Sequence, residues 1–264
     1  MTPAPLQYAS AGWSPPKDPA AIYWRSSFAS DIAGLQHVFA PLGCNMSTTS
    51  GSDTDQTITR RASACDAIGS SVAQLVCAKQ AHDTNIAAVG ARDGNRVFDG
   101  VDGFATDDPN VTLMAFTADC PTVMVFDPAR KILGLAHSGW KGSCLNVVAS
   151  LIATMTDKFG ANMSNASATI GPCAGGCCYE IKEDVAMQAE ASAVDASTVL
   201  RKATAESKLY LNLPLMIAQQ LEQCGIAPER IALPSQCTIC DTRFYSYRRQ
   251  GPNAGQAALL AKIA

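Results

Sequence analysis

The sequence predicts an α/β (α+β) fold, one domain built around a large mixed sheet. Three observations lead there. Strand-like runs crowd between residues 73 and 137, several of them apolar throughout, as strands covered on both faces are. Helical periodicities take over near residue 142. No internal repeat or linker breaks the chain after residue 20. At 264 residues, 47% hydrophobic and 16% charged, the chain has enough apolar surface for a well-buried core.

In chain order, residues 1–20 are rich in Pro, Ala and Ser and read as a flexible tail, leaving 21–264 as the folded domain. Short strands are expected at 22–24 and 36–39. Residues 48–53 have turn chemistry, and 54–68 carry a weak helical pattern that stops near Gly69. The central strands fall at 74–80, 86–89, 111–116, 122–126 and 132–136. Asp127-Pro128-Ala129-Arg130 makes a hairpin turn between the last two. A helix should begin near Gly142, with Leu145, Val148, Leu151, Ile152 and Met155 on one buried face. A strand at 168–170, a Gly/Cys-rich turn at 171–178, helices at 183–191 and 213–224, and apolar segments at 230–233 and 257–263 complete the reading.

Composition narrows the function. A net charge of −3 without a basic block gives no reason to expect nucleic acid, and Arg60-Arg61 and Arg248-Arg249 are isolated pairs. The most apolar run, VVASLIATM, is far shorter than the ~20 residues of a membrane span. The N-terminus places prolines where a signal peptide has its apolar stretch. The eleven cysteines are therefore read as reduced thiols of a cytoplasmic protein.

Polar residues at strand ends are the candidates for chemistry. Gln80 and His82, two apart, share one face of an extended chain. Cys120 follows one apolar strand; His137 follows another and precedes the turn Gly139-Trp140-Lys141-Gly142. If strands 111–117 and 132–136 are sheet neighbours, Cys120 and His137 come together, and His82 can join them. A Cys/His/His set has the donors zinc prefers and leaves a fourth position open. A metal there would bring the pKa of water to near ~7. Spacing alone favours hydrogen-bonded core or surface histidines and a buried thiol, because the three residues are scattered and no local metal motif covers them.

Other patterns are weaker. Cys237-Thr238-Ile239-Cys240 lacks a second C-x-x-C, and the 171–178 run reads as a tight turn, because adjacent Cys177 and Cys178 do not readily reach one ion. For a phosphate, the candidates are Lys141, in a turn leading into a helix, and Arg248 or Arg249, whose forks suit an oxyanion. Surface ion pairs are the plain alternative.

Several motifs resemble one family in order and spacing. They are Thr117-Ala118-Asp119-Cys120-Pro121, Ala136-His137-Ser138-Gly139-Trp140-Lys141-Gly142, Ile170-Gly171-Pro172-Cys173 with Cys178-Tyr179-Glu180, and Cys237-Thr238 with Phe244-Tyr245-Ser246-Tyr247-Arg248-Arg249. Gln80-Ala81-His82 and Asp102-Gly103 with Thr106 are similar to two further elements. The family is the laccase-domain family, long labelled multicopper polyphenol oxidase and associated with zinc-dependent purine nucleoside phosphorylase activity. The resemblance implies a single layered α/β/β/α domain with large mixed sheets and one zinc on His82, Cys120 and His137. Cys120 and His137 would be catalytic, and Gln80, Lys141, Arg248 and Arg249 would meet substrate or phosphate. It also implies phosphorolysis of adenosine, inosine, guanosine or methylthioadenosine and deamination of adenosine.

The N-terminal part departs from this pattern. Leu42 stands where the family has an arginine, a Ser-Leu-Asn-Leu segment is missing after Ser47, and Gly255-Gln256 replaces Gly-Arg. Arg60 or Arg61, displaced by the shortened loop, could supply the missing charge. The rival readings are a metal-free Cys120/His137 hydrolase or deamidase, including an amidase of peptidoglycan precursors, and a degenerate non-enzymatic binder. Copper fits less well, since three histidines are too few for a multicopper cluster.

Overall fold

The computed structural model describes residues 8–18, 21–48, 54–203 and 208–264. The expected turn at 48–53 lies, apart from Thr48, outside the described residues. Two large mixed sheets stack face to face. The seven-stranded sheet runs, edge to edge, Ala9–Ser10, Ile231–Leu233, Ser167–Ile170, Thr122–Asp127, Ile132–His137, Gly103–Thr106 and Ile86–Ala88. The five-stranded sheet runs Leu35–Phe39, Ala257–Ile263, Thr112–Thr117, Leu75–Lys79 and Arg96–Asp99.

Alternation along each strand explains why these runs are apolar throughout. Met124 and Phe126, Leu133 and Leu135, Leu113 and Ala115, and Leu259 and Ala261 meet between the sheets. Their neighbours face the other way. Val123, Val125, Ile132 and Ala136 pack under the helices Val147–Phe159 and Leu213–Gln223, alongside Leu151, Ile152, Met155, Ile217 and Leu221. Met114, Phe116, Ala258 and Leu260 pack with Ala64 and Cys65 of the helix Thr54–Asp66. The result is the expected α/β/β/α layering. Gly134 lets the Val147–Phe159 helix close on the sheet, since a Cβ there would lie 2.5 Å from the Met155 sulfur.

Three expectations need correcting. First, of the segment 1–20 read as a tail, the described residues 8–18 are joined to the domain. Ala9–Ser10 pairs in parallel with Ala232 and Leu233, and Trp13 is buried with its indole N–H donating to the Ile170 carbonyl at 2.8 Å. Second, the helix from Gly142 is two helices, Trp140–Cys144 and Val147–Phe159. Asn146 adopts φ 60° and caps the second, its side chain accepting from the Ala149 N–H, so Leu145 is exposed. Third, the sequence pattern missed the small sheet Glu180–Ile181, Lys208–Leu211 and Leu200–Ala203, whose strands are short and charged. Packed with Glu183–Ser192 and Leu213, it forms a separate apolar cluster beside the main sandwich.

His37 is the one histidine far from the strand ends. Its Nε2 accepts from the Ser26 N–H at 2.9 Å, and Trp13 stands edge-on to its ring. Burial, with the nearby Arg25 charge second, pushes its pKa from 6.5 down to about 4. The unfolded chain therefore binds a proton that the native chain refuses between those two values. Stability from this group is complete above its unfolded pKa and is lost as pH falls towards 4, by about 3 kcal/mol in all. Urea unfolding at neutral pH and near pH 4 should show this loss, and His37→Gln should remove that share of it. An unchanged pH slope in the variant would show that His37 does not carry it.

Candidate functional site

Cys120, His137 and His82 converge, each offering one ligand atom within 4.8 Å of the other two. The route differs from the one expected. Thr112–Thr117 and Ile132–His137 are not sheet neighbours; they lie in opposite sheets. The chain leaves the five-stranded sheet at Thr117, carries Cys120 across the gap, and enters the seven-stranded sheet at Thr122, which pairs in antiparallel register with His137. His82 arrives from the loop after Leu75–Lys79. Its ring stands edge-on to His137, with centroids 4.7 Å apart.

Backbone strain marks the place. His82 has φ 61° and Asp119 φ 88°, a left-handed region that residues with side chains rarely adopt. Gly139 closes the floor: a Cβ there would stand 3.0 Å from the Cys120 sulfur and 3.1 Å from the His82 ring. The three donors thus surround a space that even a methyl group would invade. A thiol and two imidazoles of this kind suit a soft or borderline metal ion, and the geometry leaves room for one.

The residue that organises the set is Asp102, named in the sequence reading only as part of a motif. Its carboxylate accepts from the N–H groups of Ala81, His82 and Asp83 at 3.1, 2.9 and 2.9 Å, and from His137 Nδ1 at 3.1 Å. The last contact leaves Nε2 of His137 to face the other donors, the usual orientation of a carboxylate behind a metal-binding histidine. Burial raises the Asp102 pKa, but these bonds, that from His137 foremost, hold it below the usual carboxylate value. For Cys120, burial also raises the pKa, yet the His137 charge and bonds from both histidines outweigh it and bring it to about 6. Burial lowers that of His137, and the Cys120 thiolate and Asp102 bring it up to about 9. Without a metal the pair is a thiolate beside an imidazolium.

The site opens into a cavity of about 960 Å³ lined by Arg61, Gln80, Phe116, Trp140, Tyr179 and Arg248, among others. Gln80 sits there, but its amide pairs like a strand with Phe116, accepting from its N–H at 2.7 Å and donating to its carbonyl at 3.1 Å. Arg248 reaches the wall, its guanidinium over the Tyr179 ring and donating to the Glu180 carbonyl at 2.6 Å. Arg249 turns away, donating to the carbonyls of Thr238, Ile239 and Phe244. Lys141 stands near Trp140 on a helix of one short turn and is not part of the lining. Leu42 is exposed and also outside the lining, whereas Arg61 is part of it, held by the Met46 carbonyl.

Asp119, beside Cys120, ties the cavity to the C-terminal loops. It accepts from the Thr238 hydroxyl at 2.6 Å, the Ser246 hydroxyl at 2.9 Å and the Arg248 N–H at 2.7 Å. The 171–178 turn is more than a turn. Cys177 and Cys178 both meet Cys237 and Cys240, all four sulfurs lying within 4.8 Å of one another. The turn of backbone at Gly175–Tyr179, closed by Cys178 and Tyr179 N–H groups on the Gly175 carbonyl, tilts two adjacent side chains to one point.

Replacing Asp102 by Asn keeps the size but halves the accepting oxygens, leaving the 81–83 loop and His137 in competition for one. Metal affinity of the His82/Cys120/His137 set should fall ten- to a hundredfold, the usual cost of losing a supporting carboxylate. Competition with a chelating dye would measure it, and a change below about threefold would mean that the loop is positioned by other contacts.

The sequence profile described as multi-copper polyphenol oxidoreductase laccase matches residues 35–264. The chain is 31% identical to purine nucleoside phosphorylase YlmD of Bacillus subtilis over 199 residues, 72% of this chain and 71% of that one. It is 27% identical to the YlmD of Geobacillus stearothermophilus over 245 residues, 87% of this chain and 89% of that one. In fold it is similar to the crystal structure of the Bacillus licheniformis hypothetical protein YfiH, with a TM-score of 0.86 and 24% identity over 96% of this chain and 99% of that one. With the profile spanning most of its length, the chain belongs to the multi-copper polyphenol oxidoreductase laccase family.

Proposed function

We propose that the chain is a zinc-dependent purine nucleoside phosphorylase acting on adenosine, inosine, guanosine or methylthioadenosine, with adenosine deamination as a second activity. The observation that carries this reading is a Cys/His/His donor set opening on a cavity wide enough for a nucleoside, with Arg61 and Arg248 in its wall. The phosphorylases among its relatives support the reaction class. Zinc would supply Lewis acidity and a water of lowered pKa. His82, Cys120 and His137 would hold it, and Asp102 keeps His137 turned the right way.

The chain's own residues have the tasks of binding and orientation. In phosphorolysis a phosphate oxygen bonds to ribose C1′ while the C1′–N9 bond breaks, and the electron pair leaves with the purine, which then takes a proton. Arg61 and Arg248 would hold the phosphate charge, which needs no counter-ion from solvent in such a cavity. Phe116, Trp140 and Tyr179 offer aromatic faces and edges for the purine. Gln80 and Arg249 would act by positioning, since their polar atoms are engaged by backbone. In deamination water adds at C6 and ammonia leaves.

The thiolate–imidazolium pair favours a second reading, a metal-free hydrolase or deamidase in which His137 has taken the Cys120 proton, the thiolate is the nucleophile, and the imidazolium returns the proton to the leaving group. Product analysis of adenosine and inosine, with and without phosphate, separates the two. The phosphorylase gives free base and ribose 1-phosphate only when phosphate is present. Base release that ignores phosphate indicates a hydrolase, and absence of turnover a binder. Zinc should also protect Cys120 from alkylation, which it would not do for a nucleophile that works without metal.

The arginine question has its own test. Arg61→Ala removes a charge-assisted contact worth ~1.5–3 kcal/mol, so the KM for phosphate should rise about ten- to a hundredfold. Leu42→Arg should leave it unchanged, because Leu42 lies outside the cavity lining. The opposite pattern would restore position 42 as the substrate contact.

A further inference from the structure

We propose that Cys177, Cys178, Cys237 and Cys240 form a second, closed metal site for zinc, separate from the His82/Cys120/His137 set. The sulfurs of Cys177 and Cys178 are 3.4 Å apart, those of Cys178 and Cys237 3.4 Å, and those of Cys177 and Cys240 3.7 Å. Sulfurs at the corners of a tetrahedron of ~2.3 Å zinc–sulfur bonds stand roughly 3.8 Å apart. Cys178 and Cys240 come closer still, at 2.6 Å. Thiols are weak donors and weak acceptors, so four of them packed together stabilise one another little. A shared soft cation accounts for the convergence.

The surroundings are built for such a centre. Gly175 stands where a Cβ would come 3.3 Å from the Cys177 sulfur and 3.5 Å from that of Cys237, so the sulfurs fill the space a side chain would take. The Gly175 N–H donates to the Cys237 sulfur at 3.2 Å, as backbone amides do around metal-bound thiolates. Four thiolates on a dication leave two negative charges. Two guanidiniums answer them: Arg249 donates to the carbonyls of Thr238 and Ile239, inside the Cys237–Cys240 loop, and Arg201 reaches the carbonyls of Gly176 and Cys177. This gives Arg249 a task at the cysteine loops in place of the substrate contact expected of it.

With all four positions taken by protein, the ion's role is to hold structure. It fastens the loop before Tyr179, which lines the cavity, to the loop containing Thr238, which bonds Asp119 beside Cys120. Loss of the ion would loosen one wall of the cavity without removing a ligand of the first metal.

Elemental analysis of the full chain, purified under reducing conditions without added metal, tests this directly. The wild type should carry about two zinc ions per chain, and both Cys177→Ser/Cys240→Ser and His82→Ala/Cys120→Ser about one. The two variants separate the sites, so failure of one assignment leaves the other standing. In case the cysteine variant does not fold, cobalt(II) can be bound to the His82→Ala/Cys120→Ser protein. About one equivalent with an intense thiolate-to-cobalt charge-transfer band supports the site. A single zinc in the wild type, unaffected by the cysteine substitutions, overturns it. So does a metal-free protein whose mass, under the same conditions, is lighter by two hydrogens, which would mean a Cys178–Cys240 disulfide.

Discussion

The Asp102 carboxylate ties the loop that carries His82 to the His137 ring. Its backbone is fixed at the start of the strand Gly103–Thr106, between two neighbours: its carbonyl accepts from the His137 N–H at 2.7 Å and its N–H donates to the Asn85 carbonyl at 2.8 Å. Its side chain then gathers three consecutive N–H groups, 81 to 83, from the loop that crosses from Leu75–Lys79 of the five-stranded sheet to Ile86–Ala88 of the seven-stranded one. One buried anion thereby forces His82 into a left-handed backbone and sets it edge-on to His137. A buried carboxylate is costly unless its lone pairs are satisfied, and here four donors satisfy them. Removing any donor leaves the charge less well matched, so the geometry of the site and the stability of the loop are one property.

The double-sheet core is what makes such a meeting possible. Thr112–Thr117 and Thr122–Asp127 are consecutive in sequence yet belong to different sheets, so the short connection between them must cross the end of the sandwich. Cys120 lies in that crossing, and Asp119 at φ 88° turns it. The apolar layer between the sheets fixes their separation, because Met124, Phe126, Leu113 and Ala115 interdigitate there. The spacing of the three donors is thus inherited from close packing some distance away, where changes of even one methylene are felt.

Much of this was legible in sequence. The apolar strands and the two long helices follow from periodicity; His82, Cys120 and His137 were candidates at strand ends, and the family resemblance is what joined them into one site. What failed did so for physical reasons. Short strands such as Glu180–Ile181 carry too few residues to show alternation. The break at Asn146 sits inside a run whose apolar spacing continues across it, and only the side-chain cap distinguishes the two helices. The proximity of Cys120 to His137 was expected from sheet pairing but comes from a crossing between sheets, which periodicity does not encode. Asp102 stood out only within a motif, because three of its four partners are backbone groups and backbone is the same in every sequence.

The arginine pair shows the same limit at the scale of one residue. Arg248 and Arg249 are adjacent, and read together they suggest a single positive clamp. Ser246 begins a short helix, its hydroxyl accepting from the Arg249 N–H while donating to Asp119, and the Arg248 N–H also donates to Asp119. Successive residues on a helix diverge by roughly 100°, so the two guanidiniums leave this anchored turn in different directions. One passes over Tyr179 to the cavity wall, and the other runs beneath the Cys237–Cys240 loop. Asp119 therefore links both through a single turn of chain: the charge that faces the cavity, and the charge that faces the four thiols.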